Sequence, residues 1–496
     1  MNTSTSVHDL KTLVLSFHPV IVIETVEEDR VLSLLQAVAD QVWPSLFEWS
    51  VTHGLVLRSE GNPIAQTTEP LLLLKHLARL NVDGIFVLKD FSKYLEEAKV
   101  ARHFREVAQA FRQKRSTMVL TGATVQLPGE IELEAVRYDL KFPDRDELLK
   151  VVNMVLQSLK VGKKLEALFR EEEREQFLKA LQGLTLHQAR QAVAGAVLSD
   201  GRFTPEDIQA VLKRKAQMVR DGGLLEYYPM EDNRYQLGGF ANLKSWLQRA
   251  YVGFSREAQA LNLSPPRGIL IVGVPGCGKS LAAKVIAREW KLPLLKLDAG
   301  RLFDKYIGES EKNFRKAISL AESMAPTVLW IDEIEKALVS AGSSESDGGL
   351  SRRLFGAFLT WLQEKRQEVF VVATANDLAI LPPELLRKGR FDEIFFVDLP
   401  TPEEREVILK IHLGLRKQEA QKFNLAEIVS ACEGFSGSEI EQAVVASLYR
   451  ALSQKRPLDT ALLLEEIRQT IPLSVTRRED VEQLRETAQG RFVSVR

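Results

Sequence analysis

The sequence predicts an α/β architecture built twice over. A phosphate-loop unit with a parallel sheet and a helical lid fills the second half, and a related α/β unit with its own lid precedes it. Three observations carry this reading. Residues 273–280 read G-V-P-G-C-G-K-S between an apolar run and a helical stretch. Two further apolar runs, 328–331 and 369–375, end in polar residues placed as a site at strand ends requires. The first half repeats such runs without the glycines.

The run Gly268-Ile269-Leu270-Ile271-Val272 is short, apolar and β-branched, as a buried parallel strand should be. Gly273, Gly276 and Gly278 let the backbone turn tightly and aim N–H groups at an anion, with Val274, Pro275 and Cys277 between them. Lys279 brings a point charge to the β- and γ-phosphates of ATP, and Ser280 offers a hydroxyl to Mg²⁺. From Leu281 a helix begins whose positive end faces the phosphates. The alternative, a chance glycine loop, leaves the strand and helix contexts unexplained. Cys277 sits where a helix terminus lowers a thiol pKa, although a variable loop position is the simpler account.

The second run, Val328-Leu329-Trp330-Ile331, ends in Asp332 and Glu333. Asp332 suits Mg²⁺ through its water shell, and Glu333 suits polarisation of an attacking water. The third run ends in Asn376, whose amide can hold that water. Arg387 and Arg390 then lie three apart beside a glycine, as rigid forks suited to phosphate. Their own loop is out of reach, so a neighbouring subunit's site is the natural target and a ring is implied. Surface salt bridges are the plainer alternative for each arginine.

These residues carry a resemblance. G-V-P-G-C-G-K-S, W-I-D-E, A-T-A-N-D and L-L-R-K-G-R-F-D, in this order, resemble the AAA clade of AAA+ ATPases. The resemblance implies Walker A, Walker B, sensor 1 and a pair of arginine fingers, hence a Mg²⁺-dependent ATPase. It extends to L-G-G-F at 237–240, where Gly238 lies beside the adenine, and to His412 in R-E-V-I-L-K-I-H as a nucleoside contact. In G-F-S-G-S-E, Gly437 and Ser438 line the adenine pocket. The match covers about residues 231–470. The stretch K-Y-I-G-E-S-E at 305–311 resembles the family's first pore loop, in which Tyr306 and Ile307 grip an extended polypeptide in a ring's channel. Packing of Tyr306 on its own domain is the plainer reading.

The first half reads as a worn copy. Val20-Ile21-Val22-Ile23 lies where the phosphate-loop strand would fall, yet E-T-V-E-E-D-R follows, with four acids and neither glycine nor lysine. Such a loop repels a triphosphate. Residues 85–95 echo 328–338 with Lys89 at the position of Asp332, and residues 118–123 echo the strand before Asn376. An unrelated α/β domain with similar spacing is the alternative. The expected organisation is a degenerate AAA-like unit over 1–225, a linker over 226–236, a large ATPase domain over 237–398, a helical lid over 399–470 and a charged tail over 471–496 to which no chemistry is assigned. One worn and one intact unit make the chain resemble two-unit AAA proteins of cyanobacteria and algal plastid genomes.

Composition narrows the functions. A formal net charge of −1 gives no global field for nucleic acid, so a nucleic-acid motor lacks support. Two cysteines in separate motifs make neither a disulfide framework nor a cysteine zinc site. The seven histidines include no H-E-x-x-H pair. No apolar run approaches the roughly 20 residues that span a bilayer. The first residues lack a basic segment followed by an apolar core, so the expected location is cytoplasmic, or the stroma for a plastid-encoded chain. The resemblance implies a homo-oligomer, usually a hexamer, that remodels an unidentified protein substrate. The alternative is a nucleotide-gated binding module that does not translocate its partner.

Overall fold

The computed structural model describes residues 5–42, 45–80, 82–159, 170–200, 204, 207–221, 223, 225–228, 236–298, 307–336, 350–365, 367–387 and 389–496. The chain divides into two compact units, Met1–Pro205 and Glu206–Arg496.

In the first unit α1 (Thr5–Leu15) leads into β1 (Val20–Glu24), α2 (Glu28–Val42), β2 (Ser45–Ser50) and β3 (Gly54–Leu57). Then come α3 (Pro70–Arg79), β4 (Gly84–Lys89), α4 (Ala98–Phe111), β5 (Thr117–Gly122) and β6 (Ala135–Arg137). Among the described residues its lid holds α5 (Arg145–Ser158), α6 (Glu171–Leu181) and α7 (Leu186–Asp200). The sheet runs β3-β2-β4-β5-β1-β6, parallel except for β3 against β2.

The second unit opens with α8 (Asp207–Asp221) and β7 (Leu225–Tyr228), then α9 (Ala241–Tyr251), β8 (Gly268–Gly273), α10 (Lys279–Glu289) and β9 (Leu294–Leu297). α11 (Ile307–Ser323), β10 (Thr327–Ile331), α12 (Leu350–Glu364), β11 (Val369–Ala375) and β12 (Glu393–Val397) complete its large domain. The lid holds α13 (Pro402–Leu415), α14 (Leu425–Ala431), α15 (Gly437–Ser453) and α16 (Thr460–Gln469). The chain then returns to the sheet through α17 (Arg478–Ala488) and β13 (Val493–Ser494). The strand order is β13-β12-β8-β11-β10-β9-β7. All six residues of β8 are buried at its centre, so the loop after it leaves the carboxyl edge of a rigid strand. Each buried Ile or Leu there contributes about 1.5–3 kcal/mol.

Strand for strand, β2-β4-β5-β1-β6 repeats β9-β10-β11-β8-β12. The correspondence reaches single residues. Asp90 and Glu333, just after β4 and β10, both take left-handed backbone, φ 54° and 50°. The lids begin alike, with capping boxes Asp144/Glu147 and Thr401/Glu404, each worth about 1 kcal/mol.

The boundaries differ from the expected ones. The division falls between Pro205 and Glu206, not near 225, because α8 packs on β7. Residues 226–228 of the expected linker are strand: β7 pairs antiparallel with β9 as an edge strand. Residues 229–235 of that expected linker lie outside the described residues. In the tail, β13 extends the sheet beside β12.

In the first unit the segment after β1 is tied to the lid by the protein's own charged groups. The Arg30 side chain, 4% exposed, binds both carboxylate oxygens of Glu147 at 3.0 Å, Glu27 at 3.4 Å and the Lys141 carbonyl at 2.7 Å. Glu27 in turn accepts the Leu186 N–H at 2.7 Å, at the start of α7. Lys89, at the position of Asp332, pairs with Glu48 at 2.7 Å and Glu28 at 3.6 Å.

Candidate functional site

In the second unit a cavity of about 790 Å³ opens between the sheet's carboxyl edge and the lid, a size that suits a small-molecule ligand. Its walls include Gly238, Pro275 to Leu281, Asp332, Glu333, Asn376, His412, Gly437 and Ser438, so motifs scattered over 200 positions converge here.

Backbone geometry explains the loop. Gly276 has φ 75°, and a Cβ there would stand 2.2 Å from the Ser438 hydroxyl. That close approach lets the Ser438 N–H reach the Gly276 carbonyl at 3.0 Å and ties loop to lid. Gly278, φ 91°, turns the chain into α10. The Lys279 ammonium, 6% exposed, donates to the carbonyls of Gly273 at 2.7 Å and Val274 at 2.8 Å, which are its main contacts with those two residues. Burial lowers its pKa to about 8. Burial also pushes the Cys277 thiol up to about 12, outweighing Lys279. The helix-terminus expectation for Cys277 therefore fails: the thiol is buried against the loop and stays protonated.

Asp332 Oδ1 accepts the hydroxyls of Ser280 at 2.8 Å and Thr374 at 2.7 Å, and Lys296 lies 3.6 Å from Oδ2. One carboxylate and one serine hydroxyl at a wet cavity suit Mg²⁺, which keeps most of its waters. Thr374 also accepts the Glu333 N–H at 3.0 Å and so sets the direction of that side chain. Asn376 donates from Nδ2 to Glu333 Oε1 at 3.0 Å. Its own N–H is held by Glu335 at 2.9 Å, a buried carboxyl whose pKa is raised by desolvation.

The lid supplies the far wall. His412 and Arg416 share Glu441, at 3.5 and 2.7 Å. Burial lowers the His412 pKa against the pull of Glu441, so the imidazole is neutral at pH 7. A Cβ at Gly238 would be 3.0 Å from Ile408 Cγ1, so the 237–240 segment packs directly on α13.

Arg387 and Arg390 do not line this cavity. Leu385 and Phe391, both buried, anchor their segment, and Asp392 accepts the N–H groups of Arg267 at 2.6 Å and Gly268 at 2.8 Å. Arg387 is exposed, and Arg390 Nη1 has no hydrogen-bond partner among the described residues. Tyr306 lies outside the described residues, and Ile307 is the first residue of α11. Sequence reasoning missed Thr374 and Glu335. Only the strand register points to Thr374, one position beyond the Ile331–Ala373 pair.

Residues 269–399 match the model of the ATPase family associated with various cellular activities, AAA. Residues 6–140 and 146–222 match the N-terminal and second domains of SpoVK-like AAA ATPases. The chain therefore belongs to the AAA ATPase family, in line with the resemblance above. It is similar to the AAA domain-containing protein ycf46 of Pyropia yezoensis, 37% identical over 480 residues and 96% of each chain. The ycf46 protein of Guillardia theta is 36% identical over 97% of this chain and 94% of its own. A Cell division cycle protein 48 homolog of Archaeoglobus fulgidus is 31% identical over 60% of this chain and 40% of its own length. Among the described residues no helix is long and apolar enough to cross a membrane.

Proposed function

We propose that the second unit binds ATP in the cavity between sheet and lid and hydrolyses it with arginines from a neighbouring copy. The observation that carries this is the joined set Ser280–Asp332–Thr374–Glu333–Asn376, with contacts of 2.7 to 3.0 Å at the end of the phosphate loop. Gly273 to Leu281 cradle the phosphates, and Lys279 leaves its carbonyl partners to meet the β- and γ-oxygens. Ser280 and Asp332 would hold Mg²⁺, which supplies charge neutralisation at those oxygens. Glu333 takes the proton of the attacking water while Asn376 keeps its carboxylate aimed. Gly238, His412, Gly437 and Ser438 hold the nucleoside end. Arg387, exposed, and Arg390, half-buried with Nη1 unpaired among the described residues, lie outside their own cavity and stabilise charge on a neighbour's transferring phosphoryl group.

This requires a closed ring, with a hexamer as the family's usual form. Its work is remodelling of a protein partner gripped by Tyr306 and Ile307. Specific ATPase activity should fall on dilution as rings separate; constant activity down to monomer would contradict the shared site. Glu333→Gln in ATP should capture a protein partner, and Tyr306→Ala in that background should release it. Capture that ignores Tyr306 would favour a nucleotide-gated binding module.

A further inference from the structure

Four residues, Asp398 to Thr401, join β12 to α13 and form the hinge between large domain and lid. The segment after the lid's last helix comes back across this hinge. Its anchor is in the large domain. β13 pairs with β12 through Phe395–Val493 and Phe396–Ser494, and the Val495 N–H donates to the Phe396 carbonyl at 3.2 Å. The Val495 carbonyl accepts the Asn242 N–H at 3.0 Å, at the start of α9, and the Asn242 side chain donates to the Ser494 carbonyl at 3.2 Å. Val481 and Val495, 3% and 2% exposed, belong to the same core cluster as β8 and β12.

From that anchor two arginines reach the hinge. Arg485 holds Asp398 with Nε at 3.0 Å from both carboxylate oxygens and Nη2 at 2.9 Å from one. Arg496 donates to the Leu399 carbonyl and pairs through Nε with Glu404 at 3.2 Å. Glu404 also accepts the Thr401 N–H at 3.0 Å and so fixes the first turn of α13. Gly239, φ 77°, packs against this carboxylate: a Cβ there would be 2.3 Å from Glu404 Oε1. The clamp therefore grips both ends of a four-residue link, and the helix it orients carries Ile408 and His412 into the cavity. Asp398, Glu404 and Arg496 themselves line the cavity.

We infer that Arg485 and Arg496 are positioning residues that hold the lid closed over the nucleotide and set its release rate. The inference rests on the proposed ATP site. A cleft between two bodies opens by rotation about the link between them, so contacts that bracket the link resist opening. The pairs are partly exposed, with side-chain exposures of 45% and 25% for Arg485–Asp398 and 35% and 16% for Arg496–Glu404, so each effect is modest.

The test is displacement of a fluorescent ADP analogue from the full chain in a stopped-flow instrument. Arg485→Ala and Arg496→Ala should each speed release about threefold, and the double variant about tenfold. The KM for ATP should rise in step while kcat at saturation does not fall, a split that a general loss of structure would not produce. Lysine at both positions should recover part of the effect, and carries the test if the alanine pair fails to fold. Release within twofold of wild type in the double variant, or a fall in kcat at unchanged KM, would overturn the clamp. A wild-type chain that does not bind the analogue would instead overturn the ATP site.

Discussion

Asn376 holds Glu333 across 3.0 Å, and the two residues stand at the ends of adjacent parallel strands, β11 and β10. The link is between side chains whose backbones are already fixed: Glu333 by Thr374 and Asn376 by Glu335. A carboxylate held by Asn376 on one oxygen and by Lys336 on the other, above a backbone fixed by Thr374, is pre-aimed, which is what a group that accepts a proton from water needs.

Glu333→Gln should therefore lower kcat for ATP by about 10²–10⁴-fold while nucleotide affinity stays within a few-fold. Asn376→Ala, which leaves Glu333 present and unaimed, should cost less, about 10²-fold. Steady-state phosphate release beside equilibrium nucleotide binding reads both. A Glu333→Gln chain with near wild-type turnover would remove Glu333 from its role.

Nucleotide affinity should fall as pH rises above 8. Burial places Lys279 near 8 in the nucleotide-free protein, where its ammonium is lost as pH rises, and phosphate oxygens favour the charged form. Binding above pH 8 must then take up a proton. The apparent Kd should rise about tenfold between pH 7 and pH 9. Isothermal titration in buffers of different ionisation enthalpy reads the proton uptake directly, and a flat profile with no uptake contradicts it.

Arg30→Ala should destabilise the first unit by about 2–3 kcal/mol, because it leaves Glu27 and Glu147 without their cation in a partly buried site. Thermal unfolding should show the loss. Nucleotide stoichiometry should remain one per chain in wild type and fall to zero in Lys279→Ala, since the first unit's segment after β1 carries acids in place of the phosphate loop and ties them to its own lid. Two nucleotides per wild-type chain would contradict that assignment.

The glycine pattern, the Asp332-Glu333 pair and the apolar runs were legible because each is local: a few consecutive residues set both the turn and its chemistry. The acidic loop after β1 was legible as hostile to phosphate for the same reason. What fills its place was not, since Arg30 meets Glu147 from 117 residues away and Glu27 meets Leu186 from 159. The hinge clamp was hidden in the same way, because Arg485 and Arg496 read as ordinary charges in a charged tail. Glu226–Tyr228 read as linker because so short a run carries no period, and pairing with β9 decides its state. For Cys277 the helix-terminus alternative fails, and the simpler loop-position reading stands, because that rule ignores burial and burial dominates here.

The central claim is a site shared between copies, and mixing two inactive chains tests it most directly. A Glu333→Gln chain keeps its arginines and loses its water-activating group; an Arg387→Ala/Arg390→Ala chain keeps the cavity and loses the arginines. Alone, each should hydrolyse ATP at about 10⁻² to 10⁻³ of the wild-type rate. Equal mixing should restore roughly a quarter of wild-type activity, the share of interfaces that unite an intact cavity with intact arginines. Activity in the mixture no higher than the average of the two parents would contradict the account.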